Sequence, residues 1–228
     1  MKHTENLGLI KMMQHNLAPS LVILLALAGG YGATYAQTAQ GISCGSLTNH
    51  YGPYDYRTQK GGTLGIVEGA HFTPEVENLV KGATGYLGGD LAYTLGAFPN
   101  HHRALLSMAK LGVKEKTNQP RGAKYTVECY FERAVRFQPN DTVARGLYAQ
   151  YLLKNGRKDE SIAQLDTAAG YAKENPFSVF NIGLLYFEAG AFDKALVQAQ
   201  LAQEMGFSRT ELVDMLKQVN KWQEPLAK

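Results

Sequence analysis

The sequence predicts an all-α fold: a short solenoid of stacked helical hairpins behind a loop-rich N-terminal cap. Three observations carry this. Gly122, Gly156 and Gly190 stand 34 residues apart. Ala134, Ala168 and Ala202 keep the same interval. Around them, apolar residues recur at helical spacing between capping residues and prolines. A fixed period of this size marks an architecture in which each unit buries its apolar face against the next.

The chain can be followed in order. Residues 1–36 read as an export signal. Lys2 and Lys11 supply positive charge, the stretch 17–28 is apolar apart from Pro19 and Ser20, and Thr34-Tyr35-Ala36 ends in a small residue suited to cleavage. The apolar run falls short of the roughly 20 residues of a membrane helix. An uncleaved signal would be the one tie to a membrane. No later segment is apolar enough to cross a bilayer, which argues against a channel or permease. The expectation is an exported, periplasmic protein.

Residues 37–87 form the cap. Its first residues, 37–43, are small and polar, and the rest is rich in Gly, Pro, Tyr and His without a sustained helical period. Thr73 and Pro74 are the exception. They open a short helix over 74–81, with Glu75 and Glu77 at its positive end and Gly82 as its stop. The run 85–90 reads as a turn, and Asp90 starts a helix that ends before Pro99.

The repeat region spans 88–225. Helices are predicted over 101–111 and 123–137, then 142–154 and 158–172, then 177–188 and 192–204. Pro99-Asn100-His101 and Pro139-Asn140-Asp141 mark equivalent helix starts. A last helix over 208–222 would close the stack. Ser208 caps it, Glu211 completes a capping box, and Leu212, Met215, Leu216 and Val219 form its apolar face.

The third hairpin places Ile182-Gly183, Tyr186, Gly190, Ala195, Ala199 and Ala202 in a recognisable order. The second repeats it with Tyr148-Ala149, Leu152, Gly156, Ser161, Leu165 and Ala168, and the first matches only in its second helix. In these residues the chain resembles the tetratricopeptide repeat family over about residues 88–225. The family's early tryptophan is missing from every unit, since Trp222 falls in the end helix. The resemblance implies about three repeats and an end-capping helix. It also implies a scaffold that binds another protein or peptide on the concave face of its first helices, with no cofactor and no chemistry of its own. Arg145, Gln150, Asn181 and Tyr186 are the partner-binding residues it suggests. Analogy with exported members of the family points to an accessory role in pilus or envelope assembly.

Charge adds little. The formal net charge of +3 comes from 23 basic and 20 acidic residues without a basic stripe, so nucleic acid is not an expected partner. Cys44 and Cys129 could pair in an oxidising compartment and tie the cap to the repeats. The alternative is one small buried helix residue and one unpaired thiol.

The segment 49–103 gathers His50, His71, His101 and His102 near Asp55 and Glu68. Imidazoles with a carboxylate suit zinc or copper. Yet no HxxxH, HxH or HExxH spacing occurs, and adjacent histidines on a helix point about 100° apart. Ser46, Ser107 or Cys44 could be drawn beside a histidine, but no nucleophile elbow supports a hydrolase. The leading reading is structural: Tyr51, Tyr54, Tyr56 and Phe72 cover the open end of the stack, and Arg57 pairs with Asp55 or Glu68. The alternative function is a metal-binding or carbohydrate-active protein using this segment.

Overall fold

The computed structural model describes residues 44–224. The expected export signal, the stretch 37–43 and residues 225–228 lie outside the described residues. Ten helices and no strand occur among those described, which makes the fold all-α. None of these helices is long and apolar enough to cross a membrane.

The cap departs most from expectation. A helix, α1 (Gly62–His71), forms where a loop was expected, despite three glycines inside it. Leu64 and Val67 lie one turn apart and bury against Ala97 and Phe98, with Tyr51, Tyr54 and Tyr56 packed around them. That burial outweighs the cost of about 1 kcal/mol that each glycine imposes on a helix. The next helix, α2 (Pro74–Glu77), stops short of residue 81. Leu79 turns to a left-handed φ of 58°, and the Val80 N–H bonds back to Glu75 at 2.8 Å. Helix α3 (Leu87–Ala97) starts earlier than expected, so Gly88 and Gly89 are helical rather than part of a turn. Asp90 sits within its first turn and accepts bonds from the Ala83 and Thr84 N–H groups and the Thr84 hydroxyl. It therefore folds the preceding loop and does not open the helix, whose N-cap position is held by Tyr86.

The hairpins follow as α4 (His102–Glu115), α5 (Val127–Phe137), α6 (Thr142–Lys154), α7 (Lys158–Ala172), α8 (Pro176–Glu188) and α9 (Phe192–Glu204). Their starts are chemically marked. The His101 ring accepts from the Ala104 N–H, Thr126 from Cys129, Asp141 from Val143 and Ala144, and Asn175 from Ser178. Each bond satisfies an orphan donor of a first turn.

The 34-residue period has two physical meanings. Gly156 and Gly190 take φ of 76° and 66° in the turns joining α6 to α7 and α8 to α9, a conformation that disfavours any β-carbon. Ala134, Ala168 and Ala202 are buried on α5, α7 and α9, where small side chains let neighbouring helices approach. Gly183 has the same use on α8. A β-carbon there would fall 2.4 Å from Leu212 Cδ2 and 3.0 Å from Gln198 Cβ.

Helix α6 packs most extensively on α7, and α8 on α9, while α4, α6 and α8 touch in succession. One apolar cluster runs from Phe72 to Leu152 and a second from Ala149 to Leu216. The final helix, α10 (Glu211–Gln218), is shorter than expected. Ser208 is not its cap, because Thr210 holds that position and Glu211 binds Arg209 at 2.6 Å instead. Trp222 lies beyond the helix and packs on the second cluster.

Candidate functional site

Helix α4 carries two apolar stripes. Ala104, Leu105, Met108 and Leu111 enter the core, whereas Leu106, Ala109 and Val113 repeat at i, i+3 and i+7 on another face. That second face borders a hollow of about 460 Å3 shared with α5 and α6, whose walls include Phe131, Leu147 and Tyr151. A further hollow of about 330 Å3 lies between α6 and α8, bordered by Val143, Phe177, Leu184 and Leu185. Leu147 and Gln150 border both, so the two hollows form one groove across α4, α6 and α8. Exposed apolar side chains line it: Val113 is 79% exposed and Phe177 55%. Lys110 and Lys154 edge the first hollow and Glu188 the second.

The four residues expected to meet a partner separate into two pairs. Gln150 and Asn181 border the groove. Arg145 turns away from it and donates to the Pro139 carbonyl at 2.6 Å and to Gln164 at 2.7 Å. Tyr186 is only 2% exposed, so its expected place on a binding surface is corrected. Its hydroxyl donates to Asp166 at 2.7 Å, and Lys194 donates to the same carboxylate at 2.5 Å. An equivalent joint stands one unit earlier, where Tyr148 and Arg157 both donate to Glu128, at 3.0 and 2.6 Å. Burial, reinforced by the adjacent carboxylate, raises the pKa of both tyrosines and keeps them protonated as donors. These tyrosines tie one hairpin to the next.

The histidines do not converge. His71 meets Asp90 at 3.0 Å, His101 meets Glu68 at 3.1 Å, and His102 meets Asp141 at 2.8 Å. His50 is exposed. Among the described residues, no group of three or more His, Cys, Asp or Glu side chains is placed to hold a metal ion. The His101 Nδ1 accepts the Ala104 N–H, so its proton sits on Nε2 and is donated to Glu68. Burial, and after it the nearby Arg103, depresses the His101 pKa to about 3 and keeps the ring neutral.

Asn100 links the cap to α6. It is fully buried, donates to Asp55 at 2.7 Å and to Asp141 at 2.8 Å, and accepts the Tyr56 N–H at 3.0 Å. Arg57 pairs with Asp55 at 2.8 Å and reaches Gln138. Burial opposes the charge on Asp55, but the bonds from Arg57 and Asn100 outweigh it and hold its pKa at about 2. Burial likewise works against Asp141, and the His102 contact with the cap N–H bonds keeps its pKa low. The arrangement is a joint between cap and hairpins. Of the suggested nucleophiles, Ser107 donates to the Glu77 carbonyl and Ser46 to Thr48, and Cys44 is bonded to Cys129.

That disulfide fixes residues 44–60, here termed the strap, to α5. Arg133 of α5 reinforces it by donating to the carbonyls of Cys44 at 2.9 Å and Ser46 at 2.7 Å.

No family model matches the chain, and no curated protein is similar to it in sequence. Sequence reasoning missed Leu106, Val113 and Phe177. The first two belong to the second apolar stripe of α4, which overlaps in sequence with the core-facing stripe.

Proposed function

We propose that this chain is an exported helical-repeat scaffold of the tetratricopeptide type. In this reading it binds another protein or peptide along the groove of α4, α6 and α8, in the cell envelope. The observation that carries the proposal is the continuity of that groove. Successive first helices of the hairpins leave Leu106, Val113, Val143 and Phe177 uncovered in one apolar track. Monomeric proteins rarely leave such tracks bare without a use for them. The cysteine pairing supports export, since disulfides persist in oxidising compartments.

The test uses the full chain expressed in its native host, crosslinked and purified with its partner. Val113→Glu and Phe177→Glu should each abolish recovery of one co-purifying protein while the melting temperature stays within a few degrees. Undiminished recovery in both variants would overturn the proposal.

A further inference from the structure

A cavity of about 270 Å3 lies among the strap, α3 and α5, and none of its residues borders the groove. Its size fits one small molecule. Helix α3 contributes Gly89, Ala92, Tyr93 and Gly96, and the strap contributes Ser46, Thr48 and Asn49. Lys124, Tyr125, Tyr130 and Arg133 complete the walls. No aspartate or glutamate is among them.

The cavity has donors in excess. Arg133 is 4% exposed and has no carboxylate partner among the described residues. Its Nη1 is engaged by strap carbonyls, its guanidinium lies 4.7 Å from the Tyr125 ring, and its Nε has no hydrogen-bond partner among the described residues. The buried Tyr130 hydroxyl accepts the N–H groups of Lys124 and Tyr125, and its own proton finds no acceptor among the described residues. Lys124 is exposed and pairs with no acid there, resting 5.3 Å from the Tyr125 ring. A buried cation and a spare buried donor without an anion carry a desolvation cost that an acidic ligand would relieve. The remaining walls suit a hydroxylated ligand. Ser46, Thr48 and Asn49 offer both donors and acceptors, and Tyr93, stacked on His71 at 3.9 Å, adds an aromatic surface.

We propose that this cavity binds a small sugar acid. Its carboxylate faces Lys124, Tyr130 and Arg133, and its hydroxyls face Ser46, Thr48 and Asn49. The site is independent of the groove, so either proposal can fail without the other. The experiment titrates the full chain separately with glucuronate, galacturonate, N-acetylneuraminate, glucose and acetate, following backbone amide shifts by NMR. At least one sugar acid should bind about tenfold or more tightly than both glucose and acetate. Its shifts should centre on residues 46–49, 89–96 and 124–133. Arg133 also anchors the strap, so its replacement risks misfolding. Lys124→Gln at the exposed rim and Ala92→Trp within the cavity avoid that anchor, and each should weaken the sugar acid with the fold retained. Three sugar acids no tighter than glucose, acetate binding equally well, or shifts mapping elsewhere would overturn the proposal.

Discussion

The cap and the C-terminal hairpins solve the same packing problem by different chemistry. From α6 to α10, small residues and a repeated turn bring helices together, and the polar joints recur: Tyr148 with Glu128 and Arg157, then Tyr186 with Asp166 and Lys194. Residues 44–104 instead rely on contacts made once. A disulfide spans 85 residues, Asn100 bridges two aspartates, and three histidines each bind a different carboxylate. Periodic packing is spread over many equivalent contacts. The cap concentrates its stability in a few long-range ones, so single changes there should be felt more strongly.

The largest expected effect comes from the disulfide. Closing a loop of this length removes unfolded-state entropy worth about 4.6 kcal/mol. Reducing it, or Cys129→Ala, should lower unfolding free energy by that order in denaturant titration. Hydrogen exchange should rise first in the strap and α1, and later in α8 and α9.

Asp141 comes next. Asp141→Ala removes the α6 cap, the His102 contact and one of the two bonds that Asn100 donates, at a cost of about 3 kcal/mol. Asn175→Ala removes only a cap from α8 and should cost about 1 kcal/mol. Equal losses in chemical denaturation would erase the contrast between the regions.

Acid should also act on the cap first. His101 ordinarily titrates near 6.5 and is depressed to about 3 in the fold. As pH falls through that window the unfolded chain takes up a proton that the folded chain does not. Its contribution is therefore complete above about pH 6.5 and is lost on acidification, by about 1.4 kcal/mol per pH unit. Asp55, depressed to about 2, adds a loss of the same sign below its ordinary value of 3.8. His101→Asn keeps a capping oxygen and should flatten the stability profile between pH 6.5 and 5. No histidine follows His102, so exchange rates in α8 and α9 should respond less.

The smallest effect belongs to the C-terminal hairpins. Gly156→Ala forces a β-carbon into left-handed backbone and should cost about 1 kcal/mol. Open space around that position leaves only the conformational term. A thermal melt showing no change would argue that the turn relaxes.

The same contrast explains what the sequence revealed. Helices α6, α7 and α9 match their expected spans because apolar period and turn glycines agree locally, and Asp141 adds a cap to α6 alone. Helix α1 was hidden because its glycines signal a turn, and the surface that Leu64 and Val67 bury against, Ala97 and Phe98, lies far along the chain. Tyr186 was misplaced because helical spacing alone does not reveal that Asp166, on the preceding helix, captures its hydroxyl. Gln150 and Asn181 border the groove because they lie on the outward side of first helices. The groove itself needed three helices in their packed positions.

The most direct test of the groove is site-specific photocrosslinking in the native host, with the probe placed at Val113, at Phe177 or at Val197 of α9, which is also exposed. The expected result is one protein crosslinked from Val113 and Phe177 and not from Val197. Crosslinks from Val197 alone, or none from either groove position, would contradict the proposed role of α4, α6 and α8.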